Sequence, residues 1–199
     1  GVGLLRAEFM MAEIGEHPNA MIEAGRSKDM IAKLEEGMLA FARAFSPRPV
    51  IYRANDFKTN EYRALKGGEK YEPIEPNPLI GFRGAGRYIE DSKVFELELE
   101  AIKRVRNKYS FKNLSLMIPF VRTVGELEEV KKMVSASGLR RSGSFKLWMM
   151  VEIPSNFILL EDFINIGIDG LSIGSNDLTM LILGADRDNP RISQSFNEL

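Results

Sequence analysis

Charged side chains occur at the same place in successive units of this sequence, directly after short apolar runs. Arg6 and Arg53 follow the first two runs, and Arg83 follows the third. Glu152 ends a later run, and Asp177 lies shortly after the last one. The planar guanidinium of arginine binds phosphate and carboxylate groups through paired hydrogen bonds, whereas carboxylate oxygens bind hard cations such as Mg²⁺. The pattern therefore predicts a site that holds an anion together with a divalent metal.

Glu152 and Asp177 are the predicted metal ligands. Mg²⁺ usually takes one or two protein carboxylates and leaves its other positions to water and substrate. Glu152 sits between Val151 and Ile153 at the end of an apolar run, where an unpaired charge is costly. The alternative is that each carboxylate only forms an ion pair with one of the arginines.

The segment 172–179 is typical of a strand that passes through a tight turn into a helix. Gly174 would allow a close approach of the backbone, and a helix start favours an anion near its N–H groups. Those groups would belong to Ser175, Asn176 and Asp177. The alternative is a helix cap by Ser175 or Asn176 with no ligand.

The arginines differ in how closely they follow an apolar run. Arg6 and Arg53 follow a run directly and are the favoured anion ligands. Arg83 and Arg122 are weaker candidates, and Arg87 is weaker still. A single arginine at the end of a strand more often forms a structural ion pair, but several at one face favour a binding site.

Six short apolar runs alternate with segments of helical periodicity, which predicts an α/β fold with a parallel sheet. The carboxyl ends of all strands meet at one face of a β/α barrel, whereas an open doubly wound sheet uses only the strands near one switch point. Because polar residues follow every run, we predict a (β/α)8 TIM-type barrel. Six units fall short of eight, so the barrel is expected to be incomplete. The runs are residues 1–5, 49–52, 79–82, 114–120, 146–151 and 170–174.

Local signals place two helix starts and one irregular segment. Thr123 followed by Glu126 predicts a capping box, and Ser155 is the predicted cap of the next helix. Residues 54–78 contain two adjacent glycines and three prolines with little periodicity, which indicates a functional loop. His17, in a turn flanked by Gly and Pro, is predicted to be exposed at a loop or helix entry.

Composition excludes several classes of function. The chain has 199 residues with 27 Lys+Arg against 28 Asp+Glu, so a nucleic-acid partner is not expected. The absence of Cys excludes disulfides, thiolate zinc sites and cysteine nucleophiles within this stretch. No run approaches the roughly 18 apolar residues of a membrane helix, so no membrane partner is expected. The chain, which starts at Gly1, is expected to be a segment cut out of a longer protein.

Six ordered motifs make the sequence recognisable: GVGLLRAEF, VIYRANDFKTNEY, EPNPLIGFRGAGRY, MIPFVRT, MVEIPSN and DGLSIGSNDLT. Together they resemble the phosphoenolpyruvate (PEP)-binding barrel of the phosphoenolpyruvate synthase (pyruvate, water dikinase) family. This barrel is shared with pyruvate, phosphate dikinase and with enzyme I of the sugar phosphotransferase system. The segments DFKTNEY and GGEKYEPIEPNP are similar to the synthase and unlike the other two.

The resemblance implies a role for each candidate residue. Glu152 and Asp177 match the magnesium ligands of the family, which makes Mg²⁺ the expected cofactor. The residues matched to substrate binding are Arg6, Arg53, Arg83, Glu152, Gly174, Ser175, Asn176 and Asp177.

The resemblance also implies an activity. A full-length enzyme would convert ATP, pyruvate and water to AMP, PEP and phosphate through a phosphohistidine, with its phosphohistidine domain as the partner of this barrel. A cytoplasmic homo-oligomer is expected. The ATP-grasp domain, the phosphohistidine domain and the catalytic Cys of the family do not occur in this sequence. Residues 1–199 are therefore expected to be a partial barrel domain that is inactive alone. The alternatives are pyruvate, phosphate dikinase, an enzyme I-type phosphotransferase, and a non-catalytic metabolite-binding module.

Overall fold

Five parallel strands form the sheet of this chain, and each strand pairs with the next along the sequence. In the computed structural model, which describes residues 1–186 and 189–192, this sheet curls into a half-barrel. The predicted incomplete barrel is confirmed. The strands are β1 (Val2–Arg6), β2 (Val50–Arg53), β3 (Leu114–Ile118), β4 (Leu147–Val151) and β5 (Gly170–Ile173).

Helices occupy every connection between the strands and bury one face of the sheet. None of the helices in the described ranges is long and apolar enough to cross a membrane. The helices are α1 (Ala7–Ile14), α2 (Pro18–Glu23), α3 (Ser27–Phe45), α4 (Thr59–Arg63), α5 (Gly84–Glu90), α6 (Ser92–Asn107), α7 (Val124–Ala136), α8 (Pro154–Ile158), α9 (Leu160–Asn165) and α10 (Ser175–Leu183).

The central strands β2, β3 and β4 carry apolar side chains on both faces, since successive strand residues point in opposite directions and residues of both sets are buried. Val50 and Tyr52 pack into the main core with the helices. Ile51, between them, packs instead with Met117 and Met150 in a second, smaller apolar cluster. Strands covered on both faces explain why the runs read as continuously apolar rather than alternating.

The third apolar run, residues 79–82, is not a strand, so the predicted count of six strands is wrong for the described residues. Pro78–Ile80 form a short 3-10 helix, and the backbone N–H of Phe82 donates to the carboxylate of Glu75 at 3.0 Å. Strand β2 pairs directly with β3, so no space remains between them for another strand. The run is part of a long excursion between β2 and α5.

The two predicted helix caps have different outcomes. The Oγ1 atom of Thr123 accepts a hydrogen bond from the backbone N–H of Glu126 at 3.1 Å, which confirms Thr123 as the cap of α7. The capping box is incomplete, because the Glu126 carboxylate accepts from the backbone N–H of Arg122 rather than from that of Thr123. Ser155 is not a cap, because α8 already begins at Pro154. Its hydroxyl instead donates to the backbone oxygen of Arg122 at 2.7 Å.

His17 is buried, so the prediction that it is exposed is wrong, although it does begin helix α2. Its Nδ1 atom accepts from the backbone N–H of Asn19 at 3.1 Å, and its Nε2 atom lies 2.8 Å from Glu72. The imidazole also stacks on Tyr71 with 5.0 Å between ring centroids. These contacts attach the excursion after β2 to helix α2.

Gly84, the first residue of α5, packs closely against the connection that follows β3. Its φ is +60°, and a Cβ atom there would lie 2.5 Å from the Cβ of Phe120. Gly25 has a similar φ of +72° but nothing within 4 Å of the same position. We expect Gly25→Ala to lower the free energy of unfolding by about 1 kcal/mol through backbone strain alone. Gly84→Ala should cost about 2–4 kcal/mol because a steric clash is added.

Urea denaturation of the two variants measures this difference. The pair is matched in backbone conformation, so the comparison isolates the close contact at Gly84. Equal losses of stability would show that the start of α5 can move away from Phe120 at little cost.

Candidate active site

The structure places all eight predicted substrate-binding residues in the wall of one cavity of about 360 Å³ at the carboxyl ends of the strands. Parallel strands joined by helices bring their carboxyl ends to the same face, which is where the sites of such barrels are built. The residues are Arg6, Arg53, Arg83, Glu152, Gly174, Ser175, Asn176 and Asp177.

Arg53, at the end of β2, is held inside the cavity by Glu8 of α1. Its Nη2 atom donates to Glu8 Oε1 at 2.8 Å, and the same oxygen accepts from the backbone N–H of Asp56 at 2.8 Å. Among the described residues, Arg53 Nε and Glu8 Oε2 are buried without a hydrogen-bond partner. Burial raises the pKa of Glu8 even though the nearby Arg53 charge lowers it. This pair therefore retains hydrogen-bonding capacity that a polar ligand could satisfy.

Arg83 lies between two carboxylates that come from distant parts of the chain. Its Nε and Nη2 atoms donate to Asp56 at 3.0 and 2.7 Å, and Nη2 also donates to Asp177 at 3.0 Å. Burial disfavours its charge, but the carboxylates outweigh that effect and raise the pKa of Arg83. For Asp177 the ion-pair alternative considered from the sequence is thus present in the structure.

Glu152 directly follows strand β4 and is 3% exposed. No described cation lies within ion-pair distance of its carboxylate. Its Oε1 atom accepts from the backbone N–H of Phe120 at 2.6 Å. Burial first, and then the charges of Asp56 and Asp177, raise the pKa of Glu152. The carboxylate therefore occupies an environment that favours either a proton or a bound cation.

Three carboxylates, those of Asp56, Glu152 and Asp177, converge so that one oxygen of each lies within 4.8 Å of the others. With Glu8, they make four carboxylates against the two guanidinium groups of Arg53 and Arg83. We call these six side chains, each at most 16% exposed, the inner charge cluster. Its excess of negative charge and its oxygen donors fit a hard divalent cation.

The turn between β5 and α10 closes one side of the cavity. A Cβ atom on Gly174 would lie 2.7 Å from Glu152 Oε2, so only glycine permits this approach. Helix α10 begins at Ser175 and carries Asp177 in its first turn, where the helix dipole stabilises a negative charge.

The other arginines have distinct positions. Arg6 ends β1 beside Arg53 and is exposed at the cavity rim. Arg122 lies outside the cavity and donates to the backbone oxygens of Arg83 and Gly81. Arg87 also lies outside it and forms a buried bidentate pair with Glu72 at 2.7 and 2.8 Å. Arg87 and Arg122 therefore stabilise the excursion rather than line the cavity.

Sequence reasoning missed two acidic residues of this region, Asp56 and Glu98. Asp56 comes three residues after β2 in the aperiodic segment, so no pattern marked it. Glu98 lies on α6 within the stripe that contains Phe95 and Leu99, and a charged residue on a buried stripe is a signal that could have identified it. Its carboxylate accepts from Tyr52 Oη at 2.6 Å and from the backbone N–H of Asn55 at 3.1 Å.

The site belongs to a curled parallel half-barrel whose strand ends carry acidic and basic side chains, and these side chains form a candidate anion and cation site. The whole chain, residues 1–199, matches the family described as PEP-utilising enzyme, PEP-binding domain. The chain belongs to this family.

Curated relatives agree with this family. The chain is 52% identical over 193 residues to the phosphoenolpyruvate synthase of Aeropyrum pernix, which covers 95% of this chain and 23% of that protein. It is 46% identical over 221 residues to the phosphoenolpyruvate synthase of Escherichia coli, a match that covers 100% of this chain and 28% of that protein. It is 41% identical over 198 residues to the phosphoenolpyruvate synthase of Pyrococcus furiosus, a match that covers 100% of this chain and 24% of that protein. The chain thus spans about a quarter of the length of these relatives.

Burial raises the pKa of Glu98 to about 8, although hydrogen bonds from Tyr52 and Asn55 oppose the shift. The folded chain retains a proton that the unfolded chain releases above about pH 4.5, so this residue's contribution to stability falls as pH rises from there to about 8. Glu98→Gln cannot ionise. We expect the stability of wild type relative to Glu98→Gln to decrease across that interval and then stay constant.

Urea denaturation at several pH values measures this relation. Glu96→Gln, on the exposed side of the same helix, is the control and should track wild type across the same interval. A constant difference between wild type and Glu98→Gln would mean that Glu98 is ionised in the folded chain throughout.

Proposed function

We propose that this chain forms the pyruvate- and PEP-binding barrel of a phosphoenolpyruvate synthase. The reaction is the conversion of ATP, pyruvate and water to AMP, PEP and phosphate through a phosphohistidine. The observation that carries the proposal is the single cavity that joins the inner charge cluster to the arginine at the end of β1. The names of the relatives support the synthase reaction over pyruvate, phosphate dikinase, an enzyme I-type phosphotransferase or a non-catalytic binding module.

Glu152 and Asp177 are the proposed ligands of Mg²⁺, with Asp56 beside them. The convergence of their oxygens and the excess negative charge of the inner charge cluster support this assignment. A cation bound there would stabilise the negative charge that develops on the oxygens of pyruvate during phosphoryl transfer. Phosphoryl transfer depends mainly on positioning and on such electrostatic stabilisation.

The arginines of this chain are proposed to bind the anionic groups of the substrate. Arg6 is exposed at the rim, where it can reach the incoming phosphoryl group. Arg53 is oriented by Glu8, which leaves its buried Nε available to substrate. Arg83 is engaged by Asp56 and Asp177, so it positions carboxylates as well as contributing positive charge. The turn at residues 174–177 is proposed to orient the substrate against this wall.

The remaining parts of the reaction are proposed to come from other domains. The greater length of the relatives supports a partner domain that carries the phosphohistidine and another that binds ATP. A cytoplasmic location and a homo-oligomeric state are proposed from the family resemblance.

An assay of the complete gene product tests this function. We expect AMP and PEP to form from ATP and pyruvate without added phosphate. Arg6→Ala should lower the turnover rate by on the order of 10²–10³-fold, because it removes positive charge from the transition state. Stability should be unchanged because this side chain is exposed. Arg6 is a cleaner test than Arg53, whose removal would also leave buried Glu8 without its ion-pair partner.

Arg43→Ala, an exposed arginine of α3, is the matched control and should keep normal turnover. A strict requirement for phosphate with formation of pyrophosphate would indicate the dikinase reaction instead. Equal turnover of wild type and Arg6→Ala would remove Arg6 from the mechanism.

Binding of Mn²⁺, a paramagnetic substitute for Mg²⁺, tests the proposed cation ligands separately from turnover. We expect Glu152→Gln to weaken Mn²⁺ binding by at least about 100-fold, since loss of a direct ligand should exceed the effect of losing an outer partner. Glu161→Gln, an acidic residue in the first turn of α9, lies outside the cavity and should bind Mn²⁺ as wild type does. Wild-type affinity in Glu152→Gln would contradict the assignment.

A further inference from the structure

Phe120 has a backbone conformation that residues other than glycine rarely adopt. It lies two residues after β3, its φ is +47°, and its side chain is 2% exposed. A left-handed conformation at a bulky residue is unfavourable and persists only where the surrounding structure enforces it. Such residues concentrate at functional sites, so the contacts of Phe120 indicate what the conformation achieves.

Neighbouring segments hold the backbone that directly follows Phe120. Asn156 Nδ2 donates to the backbone oxygen of Val121 at 2.6 Å, and the hydroxyl of Ser155 donates to that of Arg122 at 2.7 Å. The backbone N–H of Arg122 donates to Glu126 at 2.6 Å. These bonds join the β3–α7 connection, residues 119–123, to the starts of α8 and α7. The strained residue is thereby fixed from outside.

In this conformation Phe120 contacts two residues of the cavity wall, Glu152 and Arg83, with two different groups. Its backbone N–H donates to Glu152 Oε1 at 2.6 Å, so it orients one of the proposed cation ligands. Its ring lies beneath the guanidinium of Arg83, with 3.9 Å between the Arg83 Cζ atom and the ring centroid. An aromatic face at this distance attracts a cation and restricts its movement.

Through these two contacts Phe120 is connected, directly or by way of Arg83, to the three converging carboxylates. Phe120 reaches Glu152 directly, and it reaches Asp56 and Asp177 through Arg83, which donates to both. The oxygens of these carboxylates are the ones that converge within 4.8 Å. Phe120 thus contacts Glu152, just after β4, and Arg83, at the end of the excursion after β2, and Arg83 in turn connects it to the start of α10.

We infer that Phe120 is a positioning residue for the cation site: its N–H orients Glu152, and its ring holds the guanidinium that orients Asp56 and Asp177. The inference rests on the proposed function, because it concerns the same site. The competing explanation is that Phe120 is an ordinary core residue. Phe163 is a suitable comparison because it is a fully buried core phenylalanine outside the cavity.

The experiment is Mn²⁺ titration of the complete gene product, followed by electron paramagnetic resonance of the free ion. Phe120→Leu removes the aromatic face, and Phe120→Met does so with a flexible side chain that guards against misfolding. We expect each to weaken Mn²⁺ binding about 10-fold, the usual scale for loss of an outer partner of a metal site. Phe163→Leu should lower the unfolding temperature to a similar degree and leave Mn²⁺ affinity unchanged.

A double-mutant cycle tests whether the ring acts through Arg83. Arg83→Lys keeps the charge but loses the planar stack and the paired hydrogen bonds. If Phe120 acts through this guanidinium, Phe120→Leu should weaken Mn²⁺ binding far less in the Arg83→Lys background than in wild type. Equal effects in the two backgrounds would overturn the part of the inference that concerns Arg83.

Failure of the inference differs from failure of the proposed function. If wild type binds no Mn²⁺, or if Glu152→Gln binds it as wild type does, both are overturned. If Glu152→Gln binds weakly while Phe120→Leu and Phe120→Met match Phe163→Leu, the cation site stands and the positioning role of the Phe120 ring is overturned. Weakening in both Phe120 variants and not in Phe163→Leu supports it.

Discussion

The buried guanidinium of Arg83 is the interaction on which the cavity depends. It bonds to Asp56, just after β2, and to Asp177, at the start of α10, and so joins two distant parts of the chain. Buried charges are tolerated only when they are paired and hydrogen-bonded, so the three groups constrain each other closely. The pairing is nevertheless incomplete, because Glu152 has no cation partner among the described residues. The resulting excess of negative charge is what makes this wall suited to a divalent cation.

The long excursion between β2 and α5 ends at Arg83 and places its guanidinium in that position. A polar segment of this length stays ordered only if its backbone and charged groups find partners. Glu75 provides one set, since it accepts from the hydroxyl of Thr59 and from the backbone N–H of Phe82. Glu72 provides another through its buried contacts with His17 and Arg87. These carboxylates act as local anchors, which explains why residues far from the cavity are also buried and charged.

A parallel half-barrel brings side chains of opposite charge into one cavity from different strands. Glu152 and Asp177, near the ends of β4 and β5, belong to the acidic side of the wall. Arg6 and Arg53, at the ends of the neighbouring strands β1 and β2, supply the basic side. A substrate that carries both oxygens for a cation and an anionic group for arginine would therefore meet both sides at once. This arrangement is consistent with a PEP-binding domain.

The sequence alone predicts all five strands, three of their four parallel connections, the cap at Thr123 and the placement of charged residues at strand ends, because apolar runs and capping signals are local. It did not predict that residues 79–82 lie outside the sheet. Strand pairing depends on which strands are neighbours in the fold, and β2 already pairs with β3. The sequence also did not predict the roles of Asp56 and Phe120. Their roles arise from contacts with Arg83 and Glu152, 27 and 32 residues away along the chain. Only folding creates the buried, low-dielectric surroundings in which such contacts are strong.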